Sequence, residues 1–116
     1  MNKIPVFFEN VDRSAMVVIP KKPFHDWLIS IEAKNLGTEI WKESTVYLLP
    51  DFEEEEDMGK WIKKSFDQIF CDQMNNWYTD ESCWISKRTF KMFKDWFDFS
   101  LHTMIMDILE DPIEKF

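Results

Sequence analysis

Most of the chemistry this chain could perform rests on two histidines, two cysteines and one run of acids. His102 follows Ser100 by two residues and Asp98 by four, with Met104 two further on. On a strand, residues two apart share a face, so a hydroxyl, an imidazole and a carboxylate would line up on one side. An imidazole beside a hydroxyl can act as a general base, which makes His102 the one catalytic candidate. A histidine hydrogen-bonded in or beside a core is nevertheless the commoner case. No His-x-x-His, Gly-rich phosphate loop or Gly-x-Ser-x-Gly elbow accompanies it. His25 precedes Asp26, but neighbours on a helix do not face each other, so that dipeptide is no dyad.

Cys71 and Cys83 form no Cys-x-x-Cys pattern and read as free thiols of a reducing cytoplasm. A reactive thiolate needs a nearby base or a helix N-terminus, whereas Cys71 falls near a helix C-terminus. The acids Asp51 and Glu53 to Asp57 precede Lys60, Lys63 and Lys64. That order suits a helix dipole, with Glu56 and Lys60 paired one turn apart. As a metal site the run is poor, because consecutive carboxylates point around the helix axis while calcium loops alternate ligands about a Gly. The reading implies no metal and no cofactor.

The net charge of −8 opposes direct contact with nucleic acid, which requires clustered Lys and Arg. Lys87, Arg88, Lys91 and Lys94 do share a face, read as a solvated one that pairs with the protein's own acids. No membrane contact is expected either. The longest clean apolar run, residues 15 to 19, has a strand's length rather than the ~20 residues a bilayer requires. The first nine residues carry one Lys and an apolar stretch broken by Pro5, too short for a signal peptide.

The elements that must position these groups follow from periodicity. Residues 6 to 8 suggest a short strand. Ala15 to Ile19 is continuous and β-branched, as in a strand covered on both faces, and Pro20 ends it. Pro23 suits a helix first turn, with Phe24, Trp27, Leu28 and Ile31 as its inner stripe and Gly37 closing it. Thr45 to Leu49 is a second strand, stopped by Pro50. Its order after the helix predicts parallel pairing through a right-handed crossover. A long helix over 54–75 carries Trp61, Ile62, Phe66, Ile69 and Phe70, then Met74 or Trp77. Thr79 to Ser82 is a loop, and Ser86 would cap a third helix over 87–96. Inside 89–109 the apolar period changes without a turn residue: Phe90, Phe93 and Phe97 keep helical spacing, while Phe97, Phe99, Leu101 and Ile105 keep strand spacing. The final strand, over about 97–108, is expected to be central and apolar on both sides from Thr103 to Met106.

The sum is a single α+β domain over residues 1–116. It is a small two-layer unit in which a mixed sheet of at least three strands carries three helices mainly on one face. Eleven Phe, six Trp and seven Met exceed what so small a domain hides completely. Trp41 and Trp84, outside the helical stripes, are the interaction candidates.

Three segments together resemble a family of small acidic bacterial proteins of unassigned function. They are Pro-Lys-Lys-Pro-Phe-His-Asp-Trp at 20 to 27, Val-Tyr-Leu-Leu-Pro-Asp-Phe-Glu-Glu-Glu-Glu at 46 to 56, and Phe-Lys-Met-Phe-Lys-Asp-Trp-Phe-Asp-Phe-Ser-Leu-His-Thr-Met-Ile-Met-Asp-Ile at 90 to 108. The likeness covers about residues 15 to 113. Such proteins carry Pro after the Trp equivalent to Trp84, where this chain has Ile85. The resemblance implies a bacterial cytoplasmic setting and transfers no catalytic residue. The expected function is a non-enzymatic protein-interaction or regulatory module. Its partner is another protein or a second copy in a homodimer. The alternatives are a small enzyme using His102 and an acidic nucleic-acid mimic on a basic partner.

Overall fold

Pro23 leaves no helical hydrogen bond unmade in a first turn, and the chain turns helical one residue after its first long strand ends. The computed structural model describes residues 9–32, 43–109 and 111–114. Its elements are β1 (Glu9–Asn10), β2 (Ser14–Pro20), α1 (Lys22–Glu32), β3 (Thr45–Leu49), α2 (Glu55–Trp77), α3 (Phe90–Trp96), β4 (Phe97–His102) and β5 (Met106–Asp107). A single 3₁₀ turn, Glu81–Cys83, lies between α2 and α3. The expected strand at 6 to 8, Gly37 and Trp41 lie outside the described residues.

Three strands form one sheet in the order β3-β2-β4, and β1 pairs with β5 in a separate ribbon. The helices cover one face, so the α+β class and the one-sided helix layer hold. The sheet is wholly antiparallel rather than mixed. Ser14 lies opposite Leu49 and Val18 opposite Thr45, so β2 and β3 are antiparallel and not joined by a parallel crossover. The physical reason is that strand direction depends on which end of β2 the next strand starts from: Thr45 stands beside Val18, near the end where β2 finished.

The last strand is shorter than its apolar run suggests, and it occupies an edge. It breaks after His102, and Met104 is 74% exposed. The central strand is β2. Its inward residues Met16 and Val18 are buried; on its other face Ala15 is buried, Val17 half-buried and Ile19 exposed, so cover on that face thins towards the end of the strand. Met104 and Met106 are apolar by type yet exposed, while Thr103 and Ile105 are half-buried.

The core is aromatic. Phe24, Trp27 and Leu28 of α1, Ile62, Phe70 and Met74 of α2, and Phe93 of α3 enclose Met16, Val18, Leu49 and Phe97 of the sheet. Helix α2 begins as the charge order predicts, with Glu55, Glu56 and Asp57 in its first turn and Lys60 3.6 Å from Glu56. Thr89, not Ser86, caps α3, its hydroxyl accepting from the Met92 N–H at 3.1 Å. Both residue types suit that role, and Thr89 is the one directly before the apolar stripe. The switch of period at 96–97 is a direct passage from helix to strand: Trp96 ends α3 and Phe97 begins β4. The Lys21 N–H donates to the Trp96 carbonyl at 2.8 Å, pinning that junction beside the end of β2.

Candidate functional site

Alternation along three paired strands builds the sheet's second face, opposite the one that packs on the aromatic core, with Ala15 buried on it, Val17 half-buried and Ile19 exposed. Opposite Met16 and Val18 stand Ala15, Val17 and Ile19; on β3 the same face takes Val46 and Leu48, and on β4 Asp98, Ser100 and His102. Val17 lies opposite Val46 and Ala15 opposite Leu48. Val46 is 61% and Leu48 52% exposed. The result is an aliphatic stripe over β2 and β3, bordered by a polar row on β4. Val46, Leu48 and Ile19 therefore form an exposed apolar patch rather than isolated exposures.

In the polar row Ser100 Oγ and His102 Nε2 approach to 3.0 Å. The strand therefore brings together the hydroxyl and imidazole expected from their spacing. Both side chains are exposed, so solvent screens the pair and nothing excludes water from it. Asp98 turns to Lys21, 3.7 Å away. His25 is half-buried on α1, and Asp26 accepts from Lys22 at 2.9 Å.

One cleft, of about 480 Å³, is lined by Cys71, Glu81, Ser82, Trp84, Ser86 and Arg88. Its guanidinium is committed to neighbouring groups of the chain. Arg88 Nε and Nη2 donate to the two Asp67 oxygens at 2.6 and 3.2 Å, and Nη1 donates to the Ile85 carbonyl at 2.7 Å. Those bonds hold the Asp67 carboxyl below its ordinary range. Burial pushes the Cys71 thiol up, which disfavours the thiolate. Trp84 is half-buried, packs against the core, and donates its indole N–H to the Tyr78 carbonyl at 2.8 Å.

Because Asp67 titrates lower folded than unfolded, its pair with Arg88 stabilises the protein above the unfolded carboxylate value, near 4. That contribution is lost as pH falls through the folded value. Asp67 is half exposed, so Asp67→Asn is expected to cost only about 1 kcal/mol at neutral pH. Urea denaturation at descending pH should show the gap to wild type closing below about pH 4.

A second cleft, of about 330 Å³, opens between the start of β3 and the end of α2, lined by Glu43, Thr45, Gln73, Asn76 and Trp77. Its back wall is a hydrogen-bond chain. Tyr47 donates to Asp72 Oδ2 at 2.6 Å, and Gln73 Nε2 donates to Thr45 Oγ1 and to the Tyr47 hydroxyl at 3.0 and 2.8 Å. Burial and the bond to Asp72 raise the Tyr47 phenol well above its usual range.

Members of the basic face meet the chain's own groups: Arg88 meets Asp67, Lys91 meets Asp95 at 3.1 Å, and Lys94 stands 5.1 Å from the Phe90 ring centre. Among the described residues no group of three or more His, Cys, Asp or Glu could hold a metal ion, and no helix is long and apolar enough to cross a membrane. Sequence reasoning missed the sheet stripe and the second cleft. Thr45 to Leu49 shows no polar alternation that would mark its outer face, and the cleft joins residues far apart in the chain. Comparison with family models, with curated proteins and with solved structures finds no match.

Proposed function

We propose that the protein is a non-enzymatic interaction module of the bacterial cytoplasm, which docks another protein on the partly exposed outer face of its sheet. The observation that carries this reading is the cross-strand stripe of Val46, Leu48, Val17 and Ile19, with its two most exposed members on β3. The free thiols Cys71 and Cys83 suit a reducing compartment. The Ser100–His102 pair forms the polar rim of this surface, where a hydroxyl and an imidazole add directional hydrogen bonds to an apolar centre. Trp84 lines the cleft with Cys71 and Arg88 rather than this stripe, and its indole N–H is already committed within the chain.

The test is affinity capture from bacterial lysate with wild type and with a Val46→Asp, Leu48→Asp double variant, followed by titration of the captured protein. The double variant is expected to stay folded by circular dichroism, because both side chains already face solvent. Its affinity should fall by at least about tenfold, as for residues at the centre of an interface. Undiminished affinity in the folded double variant would overturn the reading. Trp84→Ala serves as the comparison at the other candidate anchor.

A further inference from the structure

The cleft between β3 and the end of α2 gathers acceptors and negative charge, and this chain brings no cation to it among the described residues. Tyr47 spends its hydrogen on Asp72, so it must accept from Gln73, which fixes that amide with its nitrogen towards Thr45 and Tyr47. Gln73 is 2% exposed and cannot reorient without breaking both bonds. Asn76 turns its amide nitrogen towards Asp72, at 3.4 Å, and keeps its carbonyl oxygen as an acceptor. Glu43 adds a carboxylate at the rim and Trp77 an aromatic surface that is 37% exposed.

The helix itself contributes. Carbonyls at a helix C-terminus carry a partial negative charge, normally balanced by Lys, Arg or His in the last turn. Helix α2 runs from Glu55 to Trp77 with no basic residue in its last turn. A carboxylate, an amide oxygen, a tryptophan face and a negative helix end therefore converge, with the Asp72 carboxylate close behind. An ammonium group presents three donors and no acceptor, and an indole ring attracts it further.

We infer that this cleft binds an alkylammonium group, supplied either by a lysine side chain of a partner protein or by a free aliphatic diamine. The inference deepens the interaction reading, on which its lysine source rests. The volume of about 330 Å³ suits one such chain rather than a large cofactor. The net charge of −8 favours a cationic ligand over a second copy of this chain.

The test titrates three probes into ¹⁵N-labelled full-length protein: Nα-acetyl-lysine methylamide, butane-1,4-diamine, and the uncharged Nα-acetyl-norleucine methylamide. Both cations are expected to shift the Thr45 and Asn76 signals and the Trp77 indole signal, and the norleucine compound is not. Glu43→Gln and Trp77→Ala should each weaken cation binding by about threefold or more, while the dispersion of the remaining signals shows that the fold is kept. Tighter binding of the lysine analogue assigns the cleft to a partner's lysine, and tighter binding of the diamine assigns it to a free amine. Absence of shifts with both cations, equal shifts with norleucine, or unchanged affinity in both variants would overturn the inference. Failure of the probes together with loss of capture in the Val46→Asp, Leu48→Asp variant overturns the cleft alone. Probe binding with undiminished capture overturns the sheet surface alone.

Discussion

Phe93→Ala is expected to lower the free energy of unfolding by about 3–5 kcal/mol, the usual loss when a buried phenylalanine is cut back and its cavity only partly closes. Phe93 is fully buried at the hub of the aromatic core. Its ring centre lies 5.2 Å from that of Phe97, 5.4 Å from Phe99, 6.0 Å from Phe66, 6.2 Å from Phe70 and 6.3 Å from Phe90. The substitution therefore removes contacts to α2, to α3 itself and to β4 at once. Native domains are stable by only about 5–15 kcal/mol, so the variant should unfold at a much lower urea midpoint. Phe93→Leu, which fills most of the space, should lose distinctly less. A midpoint for Phe93→Ala close to that of wild type would show that the core can collapse around the gap.

Trp27→Ala is expected to fall in the same range, about 3–5 kcal/mol, and Trp27→Phe separates its two contributions. The Trp27 ring is buried on α1, 5.3 Å from the Phe24 ring, and its indole N–H donates to the Cys83 carbonyl at 3.0 Å. Phenylalanine keeps most of the apolar contact and loses that bond, at a cost of about 1 kcal/mol. The bond ties α1 to the 3₁₀ turn, so its loss should also loosen the turn. Faster alkylation of Cys83 in Trp27→Phe, with Cys71 unchanged, would report the loosening. Denaturation midpoints in the order wild type, Phe, Ala would confirm the division.

How far this was legible from residues alone depends on how local each feature is. The inner stripe of α1, the acid-first start of α2 and the change of period after Trp96 are patterns within one segment, and each appears where its spacing puts it. Strand direction is not local. Nothing in residues 15 to 49 says to which end of β2 the chain returns. The break after His102 was hidden because Met104 and Ile105 look like core residues, whereas Met104 faces solvent. The Ser100–His102 contact was readable from a two-residue spacing. The Tyr47, Asp72 and Gln73 chain was not, because it joins residues more than twenty positions apart. Trp84 stood out by being unassigned, yet its ring packs against the core and its N–H has a partner within the chain.

The direct passage from α3 to β4 has a consequence for how such a chain can vary over generations. Most connections between elements tolerate added or lost residues, since a loop absorbs them. Here Phe97 both receives the last helical bond, its N–H reaching the Phe93 carbonyl, and opens the strand. One residue gained or lost at that point would turn the helix by about 100° and present the opposite side of the strand to the core. Phe93 and Phe99, now on the same side, would be driven apart. Descendants of this sequence can exchange side chains along 90–102, but the count of residues across the 96–97 junction is held fixed by geometry.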